Sequence, residues 1–460
     1  MNWRSVVLVG AVALSACSPF RSSQSPADAA RESVPDVPPY WVMAREEVGE
    51  VAVDWIAAFN DPTLTALVVE ALENNRDLRA AAANVERANA LAGQARADLF
   101  PALDVTASAG EGGRVRDSSA RSYSAGLQLS WEADVWGRVR GSNRQAVASA
   151  FSAEADYVFS QYAIAAAVAQ SYFLAIEAVL QEKVSQQSLE ALIETVRIVN
   201  AQRELGAASG LDVFLSDSNL ANAEAARAQA EGNRRQALRS LELLLGRYPA
   251  ATLPIPEALP GLPQLPSAGL PSTLLERRPD LIAREFDIAA AFSGVESARA
   301  ARLPVISISG STSGSGSSFS DALDVDTAIW NLAANLLGPL FDAGLRKSRV
   351  DQATADQRAA IENYASAALT AFEEVETSVD LNRILARRET SLDRAASDFL
   401  EAFRLSSLRY QEGETDLLDV LQIQTDAFNA QSNLVAIRRE QLIEWVNLNL
   451  ALGGSWTTEP

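Results

Sequence analysis

The chain carries one unit written twice, and that repetition restricts its fold more than any single residue does. Leu205-Gly206-Ala207-Ala208-Ser209-Gly210-Leu211-Asp212-Val213 lies between two long helical patterns, and so does Tyr410-Gln411-Glu412-Gly413-Glu414-Thr415-Asp416-Leu417-Leu418-Asp419-Val420. Asp212 and Asp419 are 207 positions apart (419 − 212), as are Val213 and Val420. The same offset joins Gly137 to Gly344 and Leu245-Gly246 to Leu452-Gly453. A glycine just past a helical pattern lets one helix stop and the next begin. The two turns, with Gly206, Gly210 and Gly413 as turn glycines, are therefore equivalent tips of a doubled unit.

Within each copy the hydrophobic period changes twice. Trp55, Phe59, Asp61-Pro62, Leu64, Leu67, Leu72 and Leu78 open a helical segment expected to run to Leu99, where Phe100-Pro101 stops it. Leu103, Val105, Ala107 and Ala109 then alternate with polar or small residues. Past a polar loop around residues 112–119, Tyr123, Ala125, Leu127, Leu129 and Trp131 do the same. This is a period-2 hairpin with one apolar face, and aromatics stand near both ends of its second strand, as at the borders of a membrane band. From Gly137 to about Glu204 the period is helical, roughly 100 Å at 1.5 Å per residue. A return helix follows from about Leu211 to Leu245.

Seven prolines between Pro249 and Pro271 make an extended connector. Copy two opens with a helix expected over residues 272–302, closed by Leu303-Pro304. Its hairpin alternates more weakly: Ile306 and Ile308 lead into a Gly/Ser-rich loop through Gly314 and Gly316, and Trp330, Leu332, Ala334 and Leu336 form the second arm. Residues 344–407 form the second long helix. The last helix holds a 3,4 alternation, Leu418, Leu421, Thr425, Phe428, Ser432, Val435, Arg439, Leu442, Val446. Its polar interruptions argue against a plain leucine-rich dimer and suit assemblies of several helices.

Composition removes whole classes of function. With 460 residues and a net charge of −20, the chain lacks the clustered cations that nucleic acid demands. It contains no histidine, which rules out Ser-His-Asp and Cys-His catalysis and imidazole metal sites. Carboxylate pairs such as Glu373/Glu374 read as solvated helix faces. The single cysteine, Cys17, can form no internal disulfide.

Arg4, the apolar run Val6–Leu14 and Leu14-Ser15-Ala16-Cys17 have the layout of a secretory signal. The ending resembles a lipobox in which Cys17 is lipidated, and each buried CH₂ of an acyl chain adds about 0.8 kcal/mol of anchoring. The bland alternative is a chance cysteine after an ordinary signal. Ser18, where an inner-membrane retention signal would place Asp, favours the outer membrane. The expected organisation is signal peptide 1–16, lipid-anchored linker 17–50, repeat one 51–248 with a hairpin about 102–132 and tip about 205–213, and connector 249–271. Repeat two, 272–453, follows with a hairpin about 305–338 and tip about 410–420, then the tail 454–460.

Four strands of about ten residues, apolar on one face, are long enough to cross a bilayer when tilted. Four cannot close a barrel, and an open edge is not tolerated in lipid. Other copies of the chain must complete the wall. Two chains would give eight strands, filled by side chains, and three would give twelve, room for a channel. The alternative is two surface hairpins on a soluble helical protein.

In its residues the chain resembles the bacterial outer-membrane factors of tripartite efflux pumps, the TolC-like and NodT-like lipoprotein channels. The carriers are the lipobox at Cys17, the Trp55/Phe59/Asp61-Pro62 opening, and Leu274-Leu275-Glu276-Arg277-Arg278-Pro279-Asp280-Leu281 with Arg284-Glu285. Ala298-Arg299-Ala300-Ala301-Arg302-Leu303-Pro304 and Tyr410-Gln411-Glu412-Gly413 with Leu418-Asp419-Val420-Leu421 complete them. The resemblance spans nearly the whole chain. It implies a mainly α fold with a membrane β-barrel portion: internally duplicated long-helix hairpins, two β-hairpins per chain, and a homotrimer with a twelve-stranded barrel and an α-helical tunnel. It implies partners as well, namely outer-membrane lipid, a periplasmic adaptor and an inner-membrane RND-type transporter, with no cofactor and no catalysis.

By position, the resemblance places Asp419 in the ring that constricts the periplasmic entrance, with Asp212 as its counterpart in copy one. A second ring aspartate is common three residues on. Here that position is Gln422, and Asp416 is the candidate substitute. The same three aspartates also lie in first helical turns, where the helix dipole alone favours a carboxylate by about 0.3–1 kcal/mol. Gly206, Gly210 and Gly413 would shape the adaptor contact, while Arg277, Arg278 and Asp280 are expected to pair near a helix start. The function implied is passive export of small molecules across the outer membrane. A protein-secretion (type I) exit duct and a non-conducting periplasm-spanning lipoprotein tether remain as alternatives.

Overall fold

The computed structural model describes residues 24–43, 54–113 and 120–454. The signal segment, Cys17 and the tail beyond Gly454 lie outside the described residues. In chain order the helices and strands are α1 (Pro26–Ser33), α2 (Pro62–Asn74), α3 (Arg76–Ala97), β1 (Ala102–Gly112), β2 (Ala120–Glu132), α4 (Arg138–Glu204) and α5 (Gly210–Leu244). The second half comprises α6 (Pro271–Arg277), α7 (Pro279–Ala300), β3 (Val305–Gly316), α8 (Phe319–Ala322), β4 (Ile329–Leu337), α9 (Leu345–Gln411) and α10 (Leu417–Ala451).

The duplication is visible in element lengths. α4 and α9 each have 67 residues, α5 and α10 each 35, and α3 and α7 each 22. Each long helix ends at a left-handed glycine, Gly206 at φ +77° and Gly413 at φ +77°. There the amides of Gly206 and Ala207 return to the carbonyls of Arg203 and Gln202, and those of Gly413 and Glu414 return to Tyr410 and Arg409. Both turns are thus helix stops in which otherwise orphaned carbonyls are satisfied.

Both opening helices are broken where one continuous helix was expected. Asn75, almost wholly buried, separates α2 from α3: its Oδ1 accepts from Asp77 N and Leu78 N at 2.9 and 3.0 Å, and its Nδ2 donates to Leu244 O. In copy two the break is Arg278. The residue before a proline is pushed out of the helical region, and Pro279 then serves as first residue of α7. Arg278 also reaches beyond this helix start, to two other helices. It is buried, its guanidinium bonded to Glu374 of α9 and to Ala451 O of α10.

The linker expected over residues 17–50 is also not a plain tether. Ser25 caps α1, Pro26 starts it, and Ala29 and Ala30 pack against Ile288, Phe292 and Tyr364. Farther along, Trp41 is buried, donates to Ala268 O at 3.0 Å and stands edge-on to Phe372. The Glu376 carboxylate accepts from Val42 N and Met43 N at 2.7 and 3.0 Å.

The chain divides into two compact units that cut across the repeats, each drawing on both copies. One comprises Met1–Pro35, Ala83–Asp156 and Asp280–Ala368, and holds the strands. The other comprises Asp36–Ala82, Tyr157–Pro279 and Leu369–Pro460, and holds the tips. The core of the second gathers Trp55, Phe59, Leu64, Tyr172, Phe173, Leu241 and Trp445, with Phe59 5.1 Å from Phe173 and 4.8 Å from Trp445 between ring centres. Asp61 ties α2 into this core. Its Oδ1 caps Thr63 N and Leu64 N, while its Oδ2 accepts the Tyr172 hydroxyl at 2.7 Å. Burial and the neighbouring Asp61 push the Tyr172 phenol far above its usual pKa.

Candidate functional site

The four strands form one antiparallel sheet in the order β1-β2-β3-β4, with unbroken register across all three ladders. Gly314 and Gly316, expected in the loop, belong to β3. Side chains alternate between faces along a strand, so the register sorts them. On one face Leu103, Val105, Ala107 and Ala109 oppose Leu129, Leu127, Ala125 and Tyr123. Trp131 opposes Ile308, and Ile306, Ile308 and Gly310 oppose Leu336, Ala334 and Leu332. On the other face Asp104, Thr106 and Ser108 oppose Gln128, Gly126 and Ser124, while Ser307, Ser309 and Ser311 oppose Asn335, Ala333 and Asn331.

Apart from the far end of β3, where α8 lies against it, the apolar face is bare within the chain. Val105 is 81% exposed and Leu336 70%. So large a contiguous apolar surface implies a lipid environment or a partner. β1 and β4 each leave one edge unpaired within the sheet. Two tryptophans mark the junction with the helices: Trp131 Nε1 donates to Leu99 O at 3.0 Å, and Trp136 Nε1 to Pro304 O at 2.8 Å. Apolar bodies with hydrogen-bonded ring N–H groups suit a membrane interface.

The tips lie in the second unit and pack around one core of Leu192, Val199, Ala208, Tyr410, Leu417, Val420 and Leu421. Gln202 Nε2 donates to Tyr410 O, joining the two turns. Ser209 and Asp212 form a capping box, Ser209 N to Asp212 Oδ2 at 2.7 Å and Asp212 N to Ser209 Oγ at 3.2 Å. Burial first, and the Asp212 charge second, raise the Tyr410 phenol above its ordinary pKa. Asp212 is thus half-buried and already engaged. Gly210 opens α5 as an ordinary helical residue rather than a left-handed turn glycine, which corrects its expected role.

In copy two, Asp416 takes the cap position without a side-chain cap bond, and Asp419 stands one turn on, accepting from Thr415 Oγ1 at 3.1 Å. Both are exposed. Gln422 donates to both oxygens of Asp426 at 3.2 Å. Asp419, Gln422 and Asp426 follow helical spacing along one face, and Asp426 was not singled out from the sequence although its offset from Gln422 could have marked it. Among the described residues, no cluster of three or more carboxylates could hold a metal ion.

A membrane-length sheet with one apolar and one polar face, joined to paired helical hairpins, is the wall segment of a multi-chain membrane channel. The sequence profile of the family described as outer membrane efflux protein matches residues 67–247 and 270–454. The chain is 32% identical to the pyoverdine export outer membrane protein OpmQ of Pseudomonas aeruginosa over 100% of its length and 98% of that protein. With the probable outer membrane lipoprotein SilC of Salmonella typhimurium it shares 28% identity over 87% of this chain and 88% of that one. The open-state MtrE outer membrane channel of Neisseria gonorrhoeae superposes with a TM-score of 0.83 at 27% identity, covering 96% of this chain and 100% of that one. The chain belongs to the outer membrane efflux protein family. It is an outer-membrane channel component with the barrel-and-helical-tunnel fold of trimeric efflux channels, reaching into the periplasm.

Proposed function

We propose that this chain is a passive, non-enzymatic exit duct for small molecules, gated at its tips. The observation that carries this reading is the sheet: an apolar face, a polar face and two open edges, which further copies complete into a wall with water on the inside. Export of pyoverdine by OpmQ is consistent with cargo of small-molecule size.

Asp419 and Asp416 supply the carboxylates of the entrance ring; their exposure at the start of α10 supports this. Threefold symmetry would bring three copies of each about one axis, and acidic rings favour cations. Asp212 contributes less, because its carboxylate is spent on the Ser209 cap. The turns at Gly206 and Gly413, with Gly210 beside the first, present the adaptor-contacting surface. Cys17 carries the lipid anchor after removal of residues 1–16, and the two repeats with their connector divide the mature chain as the sequence suggests.

The test is single-channel recording of the purified trimer in a planar bilayer. An open pore supports the duct, whereas absence of any conductance would leave a tether. Asp416→Ala with Asp419→Ala is expected to raise conductance and weaken cation preference, and Asp212→Ala to change both less.

A further inference from the structure

We propose that the connection between β3 and β4 is a membrane-contacting flap. It folds back over the lipid-facing side of the wall and seats Phe319, Leu323 and Val325 in the outer leaflet. The proposal rests on the reading of the sheet's apolar face as lipid-facing.

The direction of the fold-back follows from β3. A Cβ built on Gly310 would lie 3.6 Å from Leu129 Cβ and 3.7 Å from Leu332 Cδ1, both on the apolar face. Register in β3 is unbroken, so Gly314 and Gly316 point to that same face. A Cβ on Gly314 would collide with Ala322 O, and one on Gly316 with Asp321 Cβ. α8 therefore rests on the apolar side, with Ala322 buried beneath it, and not on the serine-lined side. This also accounts for the weak alternation of the second hairpin. The far half of β3 places small residues where the other strands place large apolar ones, because protein covers that stretch.

The flap then needs an environment of its own. Phe319 is 56%, Leu323 58% and Val325 84% exposed, and Trp330, the next large side chain on the apolar face of β4, is exposed as well. Two of the three aspartates are turned into local structure. Asp321 accepts from Ser318 N at 3.1 Å in a capping box, and Asp324 accepts from Asp326 N at 3.0 Å. A short amphipathic segment continuous with a hydrocarbon-facing band, at the strand ends away from the helices, fits the headgroup–acyl boundary. The occupant is bilayer lipid.

The experiment places a photoreactive benzophenone residue singly at position 323 or 325 in the full-length trimer. The trimer is reconstituted in phosphatidylethanolamine–phosphatidylglycerol vesicles, irradiated, and read for lipid adducts by mass. Position 332 on the apolar face and position 309 on the polar face serve as references. Lipid adducts at 323 and 325, in yield comparable to 332 and well above 309, are expected. In a Gly314→Val trimer, where α8 is displaced, the yield at 323 should fall. Adducts at 332 with none at 323 or 325 would overturn the flap alone. Adducts at 309 in place of 332 would overturn the assignment of the wall beneath it.

Discussion

Backbone symmetry between the two copies does not extend to every side chain, and the differences locate particular tasks. Glu242 and Asn449 are 207 positions apart (449 − 242), each a few residues before the end of an equivalent helix. Glu242 is buried, and its carboxylate accepts from Ala251 N, Thr252 N and Leu253 N at 2.7, 2.8 and 3.1 Å, pinning the start of the Pro-rich connector. Asn449, fully buried, instead donates to Trp445 O within its own helix. Burial pushes the Glu242 carboxyl up, but the backbone amides outweigh it and hold the group below its ordinary range. A depressed carboxyl contributes stability that is present above its unfolded pKa, about 4.3, and lost as pH falls through the lower folded value. Thermal unfolding of the detergent-solubilised protein should therefore show Glu242→Gln less stable at pH 7, with the gap narrowing below about pH 4. A gap constant across that range would mean that the carboxylate is not what the connector reads. At this scale the sequence was legible in part. Offsets placed Asp212 and Asp419 in equivalent first turns, but which carboxylate a cap would consume depended on Ser209 standing where copy two has Asp416. The burial of Arg278 was invisible because its partners lie 96 and 173 residues away.

Elements were legible where a local rule decided them. Long helices, return helices and strands follow from period and from glycine stops, and Gly206 and Gly413 are left-handed as their positions require. The rest was decided by tertiary contacts that a linear pattern does not carry. Asn75 ends α2 because it can reach Leu244 O, and the arm around Trp41 is ordered because Ala268, Phe372 and Glu376 form a slot for it. Gly210 looked like a turn residue in a Gly-rich tip, yet it begins a helix with nothing within 4 Å of its missing Cβ. These two kinds of glycine should respond oppositely to alanine. Gly413→Ala forces a side chain into a left-handed residue, at a cost of about 1–2 kcal/mol. Gly210→Ala fills open space at a compatible backbone and should be neutral or stabilising by about 0.4–1 kcal/mol. Melting temperatures of the two variants in one detergent decide the matter; equal losses would mean that Gly210 serves something other than helix initiation.

At the scale of the whole molecule, function depends on surfaces that a single chain leaves unfinished. Alternation made the membrane hairpins legible, while the covered half of β3 was misread as loop because small residues there answer to α8 instead of lipid. The strand count already required other chains, and membership of a trimeric channel family brings twelve strands from three copies. The two faces of that wall must tolerate charge unequally. Leu127, mid-strand on the apolar face, opposes Val105 and Thr312, and Ser309, mid-strand on the polar face, opposes Ser130 and Ala333. An arginine on the lipid side near the midplane costs about 2–4 kcal/mol per copy, and trimer symmetry applies that cost three times. The same residue on the lumen side stays in water and alters only the field that permeant ions meet. Leu127→Arg should therefore lower the temperature at which the trimer dissociates on a semi-native gel. Ser309→Arg should leave that temperature near wild type while lowering cation conductance. If Ser309→Arg broke the trimer and Leu127→Arg did not, lipid and water would be on the opposite faces, and the serine-lined side could not be the path of export.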